Sequence, residues 1–159
     1  FIEGLHPILL WTTLWRLILN TKSNVVPYLA TPMSDQNTIL VAEDNDFVRM
    51  QIVKYLQDAG HNVVEATDGN SALEVVKNQT VDLTIVDVRM EPVDGFDFIR
   101  AIRGMDLKIP VILVTGDSAP DILEKSGDWG VAAVLIKPVQ KERLVKAVER
   151  SLAMSKRKM

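Results

Sequence analysis

From residue 38 onward the chain alternates two hydrophobic patterns. Short, almost continuous apolar runs stand at TILVAE (38–43), NVVEA (62–66), DLTIVD (82–87), PVILVT (110–115) and VAAVLIK (131–137). Four of the five are nearly unbroken, the pattern of strands covered on both faces. Between them apolar residues recur at helical spacing. Val48, Ile52, Leu56 and Ala59 share one side of a predicted helix that Asp46 can cap and Gly60 ends. Ala72, Leu73 and Val76 mark a helix within 70–78, and Phe98, Ile99 and Ile102 another within 95–103. Pro120 suits the first turn of a helix reaching about residue 125. Leu144, Val148 and Leu152 stand at i, i+4 and i+8 in a last helix that begins near Lys141.

Five strands alternating with five helices predict an α/β protein with a doubly wound, five-stranded parallel sheet, a flavodoxin-like (βα)5 arrangement. Right-handed crossovers make 2-1-3-4-5 the expected strand order; that order comes from topology rules, not from the periodicity.

Residues 1–32 read differently. The run LHPILLWTTLWRLIL (5–19) holds two of the three tryptophans. As a helix it would span only ~22 Å, short of a hydrocarbon core of roughly 30 Å, and Arg16 interrupts it. A secretory signal is not expected either, because the start carries Glu3 and no basic residue. Ile8, Trp11, Trp15 and Ile18 do fall at helical spacing, which leaves an amphipathic or partner-docking helix open. The favoured expectation is an extension foreign to the domain, with Met33 as a natural start. The domains are then 1–32 (extension), 33–153 (α/β domain) and 154–159, a basic tail containing Lys156, Arg157 and Lys158.

Composition adds exclusions. There is no cysteine, so a disulfide scaffold, a thiolate metal site and a cysteine nucleophile are ruled out. A net charge of -3 argues against direct nucleic-acid binding through a basic face. With 47% hydrophobic and 25% charged residues the chain is ordinary for a globular protein. A cytoplasmic location without membrane association is expected.

In sheets of this kind ligands bind beyond the carboxyl ends of the strands, at the switch point between strands 1 and 3. Strand 1 ends in Glu43-Asp44, strand 3 in Asp87, strand 4 in Thr115 and strand 5 in Lys137; strand 2 ends in nothing comparable. Taken singly, each has an ordinary use as a turn cap, a helix-start acid or a solvated lysine. Together they place three carboxylates, a hydroxyl and an ammonium at one crevice. Clustered carboxylates repel one another, and a hard divalent cation such as Mg²⁺ relieves this. An aspartate can act as a nucleophile and become an aspartyl phosphate, while a cation, a lysine and a hydroxyl stabilise the charge that develops. Asp87 is the candidate nucleophile.

The stretches ILVAEDN, VDVRM followed by VDG, VILVTG and AAVLIKP resemble the receiver domain of two-component response regulators, over residues 38–152. The resemblance implies a signalling switch rather than an enzyme, with Asp87 as phospho-acceptor and Thr115 and Lys137 as the switch hydroxyl and the phosphoryl-contacting lysine. It implies Mg²⁺ at Glu43, Asp44, Asp87 and the backbone carbonyl of Arg89. It also implies a cis peptide between Lys137 and Pro138, and a histidine kinase or histidine phosphotransfer protein as phosphoryl donor. A further, unidentified protein partner would read the switched surface, near the last helix and Trp129, with Trp129 itself packing rather than contacting.

Three features depart from the family pattern or vary within it. Proline comes at Pro92, one residue later than usual, with Glu91 in its place, which implies an altered loop of unaltered length to Gly95. Val134 stands where the family commonly has an aromatic ring, so a ring-coupled switch is not expected in that form. Arg89 and Asp117 occupy positions that tune phosphoryl lifetime, and a pairing across the site is the working hypothesis. The alternatives are a receiver-like docking module that is not phosphorylated, or the receiver fragment of a hybrid histidine kinase. A haloacid-dehalogenase-type phosphatase would want an acid where Arg89 stands, and a flavodoxin-like cofactor binder would not carry EDND after strand 1.

Overall fold

The computed structural model describes residues 36–116 and 120–157. The segment 1–32, with its apolar run, lies outside the described residues, and so does Asp117. In chain order the elements are β1 (Thr38–Ala42), α1 (Asp46–Asp58), β2 (Asn62–Ala66), α2 (Gly69–Asn78), β3 (Leu83–Asp87), α3 (Gly95–Gly104), β4 (Val111–Thr115), α4 (Pro120–Asp128), β5 (Ala133–Ile136) and α5 (Lys141–Lys156). The five strands form one parallel sheet in the order β2-β1-β3-β4-β5, as expected.

Each central strand sends alternate residues to opposite faces, and both faces are buried. Ile39, Val41, Leu83, Ile85, Ile112 and Val114 pack with Ile52 and Leu56 of α1 and Leu144, Val148 and Leu152 of α5. Leu40, Ala42, Val86, Val111 and Leu113 pack on the other side with Ala72 and Val76 of α2 and Phe98, Ile99 and Ile102 of α3. Continuous apolar runs at β1, β3 and β4 are thus what two covered faces require. The run at β5 is apolar too, but β5 is an edge strand with one neighbour, and Ile136 is 54% exposed.

Three boundaries correct the expectations. The cap of α1 is Asn45, whose Oδ1 accepts from Val48 N at 3.1 Å; Asp46 sits inside the first turn instead. Helix α4 runs to Asp128 rather than ending near 125. Helix α5 continues through Lys156, so the expected basic tail begins as the last turn of a helix. Lys156 there complements the negative end of the helix dipole, which favours continuation. No helix among the described residues is long and apolar enough to cross a membrane.

Candidate functional site

Asp87 is the last residue of β3, the central strand, and the residue is almost fully buried at 4% exposure. Glu43 follows β1 immediately and is buried as well, whereas Asp44 beside it is exposed. Two buried carboxylates on neighbouring strands need compensation, since an unpaired buried charge costs several kcal/mol. Lys137, just past β5, supplies it from across the sheet. Its Nζ donates to Asp87 Oδ2 at 2.9 Å and to Glu43 Oε1 at 3.0 Å. Glu43 Oε2 is also 2.8 Å from the ammonium, yet this contact lacks hydrogen-bond geometry, and the oxygen is buried without a hydrogen-bonding partner.

The titration behaviour follows from that geometry. Burial pushes the Glu43 carboxyl above its ordinary value; the Lys137 hydrogen bond pulls it back, and the Asp87 charge adds to the rise. Burial by itself would lower the Lys137 ammonium. Hydrogen bonds to Glu43 and Asp87, with their charges, outweigh burial and hold it above the ordinary lysine value.

Glu43, Asp44 and Asp87 bring one carboxylate oxygen each within 4.8 Å of one another. Three hard oxygen donors, one of them on a carboxylate whose second oxygen has no hydrogen-bonding partner, fit a hard divalent cation that keeps part of its water shell. The acidic cluster therefore has the donor chemistry that the sequence suggests.

Of the other expected residues, Thr115 ends β4 and Arg89 follows the end of β3 by two positions, both at this sheet edge. Thr115 closes β4, the strand beside β3, and is buried; its carbonyl accepts from Lys137 N at 2.8 Å, which fixes the lysine's backbone to the same sheet edge. Arg89 lies two residues beyond Asp87 in the following loop and is exposed. Asp117 lies outside the described residues, and the expected Arg89–Asp117 pairing lies outside them with it. Val134 is partly buried and packs against the α2–α3 side of the core, and the Lys137–Pro138 peptide is cis, as is Glu91–Pro92. Trp129 packs against the same core, with the Arg100 guanidinium 5.8 Å from its ring centroid.

Two contributors were not legible as such. Gly95, the first residue of α3, packs so closely on the strand end that an added Cβ would collide with the Asp87 carbonyl oxygen. Glycine is required there by close approach, which explains the G of the VDG stretch. Arg49 on α1 donates to Asp46, to Glu65 and to the Glu43 carbonyl. Only its i, i+3 relation to Asp46 could have been read from spacing.

A five-stranded doubly wound sheet with a lysine-bridged acidic pocket at its carboxyl edge defines a class of α/β signalling domains. The chain belongs to the response regulator receiver domain family, whose model matches residues 39–149. Among relatives, the transcriptional regulatory protein PdtaR of Mycobacterium tuberculosis is 35% identical over 112 residues, covering 70% of this chain and 54% of that protein. The CAI-1 autoinducer sensor kinase/phosphatase CqsS of Vibrio cholerae is 31% identical over 133 residues, covering 82% of this chain and 19% of that protein. Among solved structures, the chemotaxis protein CheY4 of Vibrio cholerae superposes with a TM-score of 0.69 at 30% identity, covering 73% of this chain and 98% of that one. The chain thus spans about half the length of the first relative and about a fifth of the second. Receiver domains are signalling switches of two-component systems that interact with kinases and downstream effectors, and they generally bind Mg²⁺ at an acidic pocket.

Proposed function

We propose that this domain accepts a phosphoryl group on Asp87 from a histidine kinase or histidine phosphotransfer protein and changes its surface for a protein partner. The observation that carries the reading is the half-buried Lys137 bridging buried Asp87 and Glu43, with exposed Asp44 beside them. A docking module that is never phosphorylated gives no reason to hold two buried carboxylates around one ammonium at the sheet edge.

In this reading an Asp87 carboxylate oxygen forms the new bond to phosphorus while the donor's phosphorus–nitrogen bond breaks. Lys137, already hydrogen-bonded to Asp87, stays in reach of the phosphoryl oxygens and offsets the charge they carry. Thr115, at the end of the neighbouring strand, supplies a hydroxyl toward the same group, and its movement shifts the population of an active surface. A Mg²⁺ ion held by Glu43, Asp44, Asp87 and the Arg89 carbonyl would neutralise negative charge there. The neighbouring position of Val134, aliphatic rather than aromatic, means that this movement is not relayed by a rotating ring at that site. Arg89 sits close enough in sequence to screen the product from water and so tune its lifetime.

The test is intact-mass analysis after incubation with a small phosphodonor, with and without Mg²⁺, beside Asp87→Asn. A single Mg²⁺-dependent phosphate adduct that the variant lacks is expected. No adduct under any condition sinks the proposal.

A further inference from the structure

Arg49 lies in the opening turns of α1, and its side chain is only 12% exposed. Its guanidinium gathers three chain segments. Nη1 donates to the backbone carbonyl of Glu43 at 2.9 Å, Nε to Glu65 Oε2 on β2 at 3.1 Å, and Nη2 to Asp46 Oδ1 at 2.6 Å. The planar fork of arginine suits three acceptors in fixed directions, which a single ammonium does not.

The acceptor that matters is the Glu43 carbonyl, because it belongs to the peptide joining Glu43 to Asp44. The amide of Glu43 is fixed from the other side, donating to Ala66 O at 3.1 Å. Both backbone groups of Glu43 are therefore tied, one to β2 directly and one through Arg49, which Glu65 of β2 holds in turn. Among the described residues the Asp44 side chain makes no hydrogen bond or ion pair, so its direction is set by this backbone and not by a partner of its own.

We infer that Arg49 is a positioning residue for the divalent-cation site, holding the Glu43–Asp44 peptide so that both carboxylates face Asp87. The inference rests on the receiver reading above. It makes a prediction opposite in sign to simple electrostatics. Arg49 is a cation beside an acidic cluster, so by charge alone its removal would tighten the binding of another cation. As a positioning residue, its removal weakens binding, because the carboxylates lose their preset geometry.

The experiment is calorimetric titration of Mg²⁺ into the unphosphorylated full chain, for the wild type, Arg49→Gln and Arg49→Lys. Arg49→Gln is expected to bind about tenfold more weakly, in the range found for residues that orient metal ligands. Arg49→Lys keeps the charge, so charge alone leaves it at wild-type affinity, whereas lost positioning weakens it too. The lysine variant also keeps the test decisive should Arg49→Gln fail to fold. As a second readout, both variants should need more Mg²⁺ for half-maximal phosphate-adduct formation while reaching the wild-type rate at saturation. Unchanged or tighter Mg²⁺ binding in the variants, with normal binding by the wild type, overturns the role of Arg49 alone. No Mg²⁺ binding by the wild type overturns the metal site itself, and this inference with it.

Discussion

Lys137 is the most informative residue to remove, because two buried carboxylates depend on it. Its side chain is 23% exposed, while those of Glu43 and Asp87 are 1% and 5% exposed. Replacement by methionine keeps the volume and deletes the charge. Removing one partner of a fully buried ion pair costs ~3–5 kcal/mol, and the partial exposure of Lys137 reduces this to about 2–3 kcal/mol. For a domain of this size that corresponds to a fall in melting temperature of about 10 °C.

The pH dependence sharpens the test. In the wild type the Lys137 pKa is raised above 10.5, so its contribution is fully present below 10.5 and is lost only as pH rises through the raised value. In Lys137→Met the Glu43 carboxyl, already raised above 4.5 by burial, loses the hydrogen bond that restrained it and rises further. The folded variant then holds a proton that the unfolded chain releases, so its stability falls as pH climbs from 4.5 through that raised value. Urea unfolding of both proteins, with a chelator present to keep divalent cations out, should show a small deficit near pH 4.5 and the full deficit at neutral pH. A deficit below ~0.5 kcal/mol at neutral pH, or one that does not change with pH, would refute the claim that Lys137 compensates a buried carboxylate pair.

Two further variants probe the frame around the pocket. Asp68 caps α2 by accepting from Ser71 N at 2.8 Å, with Ser71 Oγ answering Asp68 N at 3.2 Å; Asp68→Ala should cost ~1 kcal/mol in urea unfolding. The Ser71 backbone hydrogen bond holds the Asp68 carboxyl below 3.8, so the cap contributes above 3.8 and fades as pH falls through the lower folded-state value; a wild-type advantage that grows on acidification would contradict this. Gly95→Ala drives a methyl group into the Asp87 carbonyl and should cost about 1–3 kcal/mol and slow phosphate-adduct formation. Gly104→Ala at the other end of α3 meets nothing within 4 Å and serves as the control; equal effects from the two changes would show that contact with Asp87 is irrelevant.

The division between what the chain reveals and what it hides has a physical basis. Strands buried on both faces must be uncharged and largely apolar, so a charged residue that ends such a run is conspicuous. Asp87, Glu43 and Lys137 are legible for that reason, and a parallel sheet sends every such residue to the same edge. The residues that hold this chemistry in place have no comparable signal. Gly95 is required by a backbone approach between an α3 start and a β3 end, and Arg49 by acceptors on three segments, one of them a main-chain carbonyl that has no letter in the sequence. The α1 cap shows the same limit at short range. Asn45 and Asp46 are both good capping residues, and the choice falls on Asn45 because Asp46 is drawn to Arg49 at 2.6 Å. A local preference was thus decided by a side chain whose own position depends on β2. The chemistry of the pocket is written in strand ends, and its precision in contacts that only folding brings together.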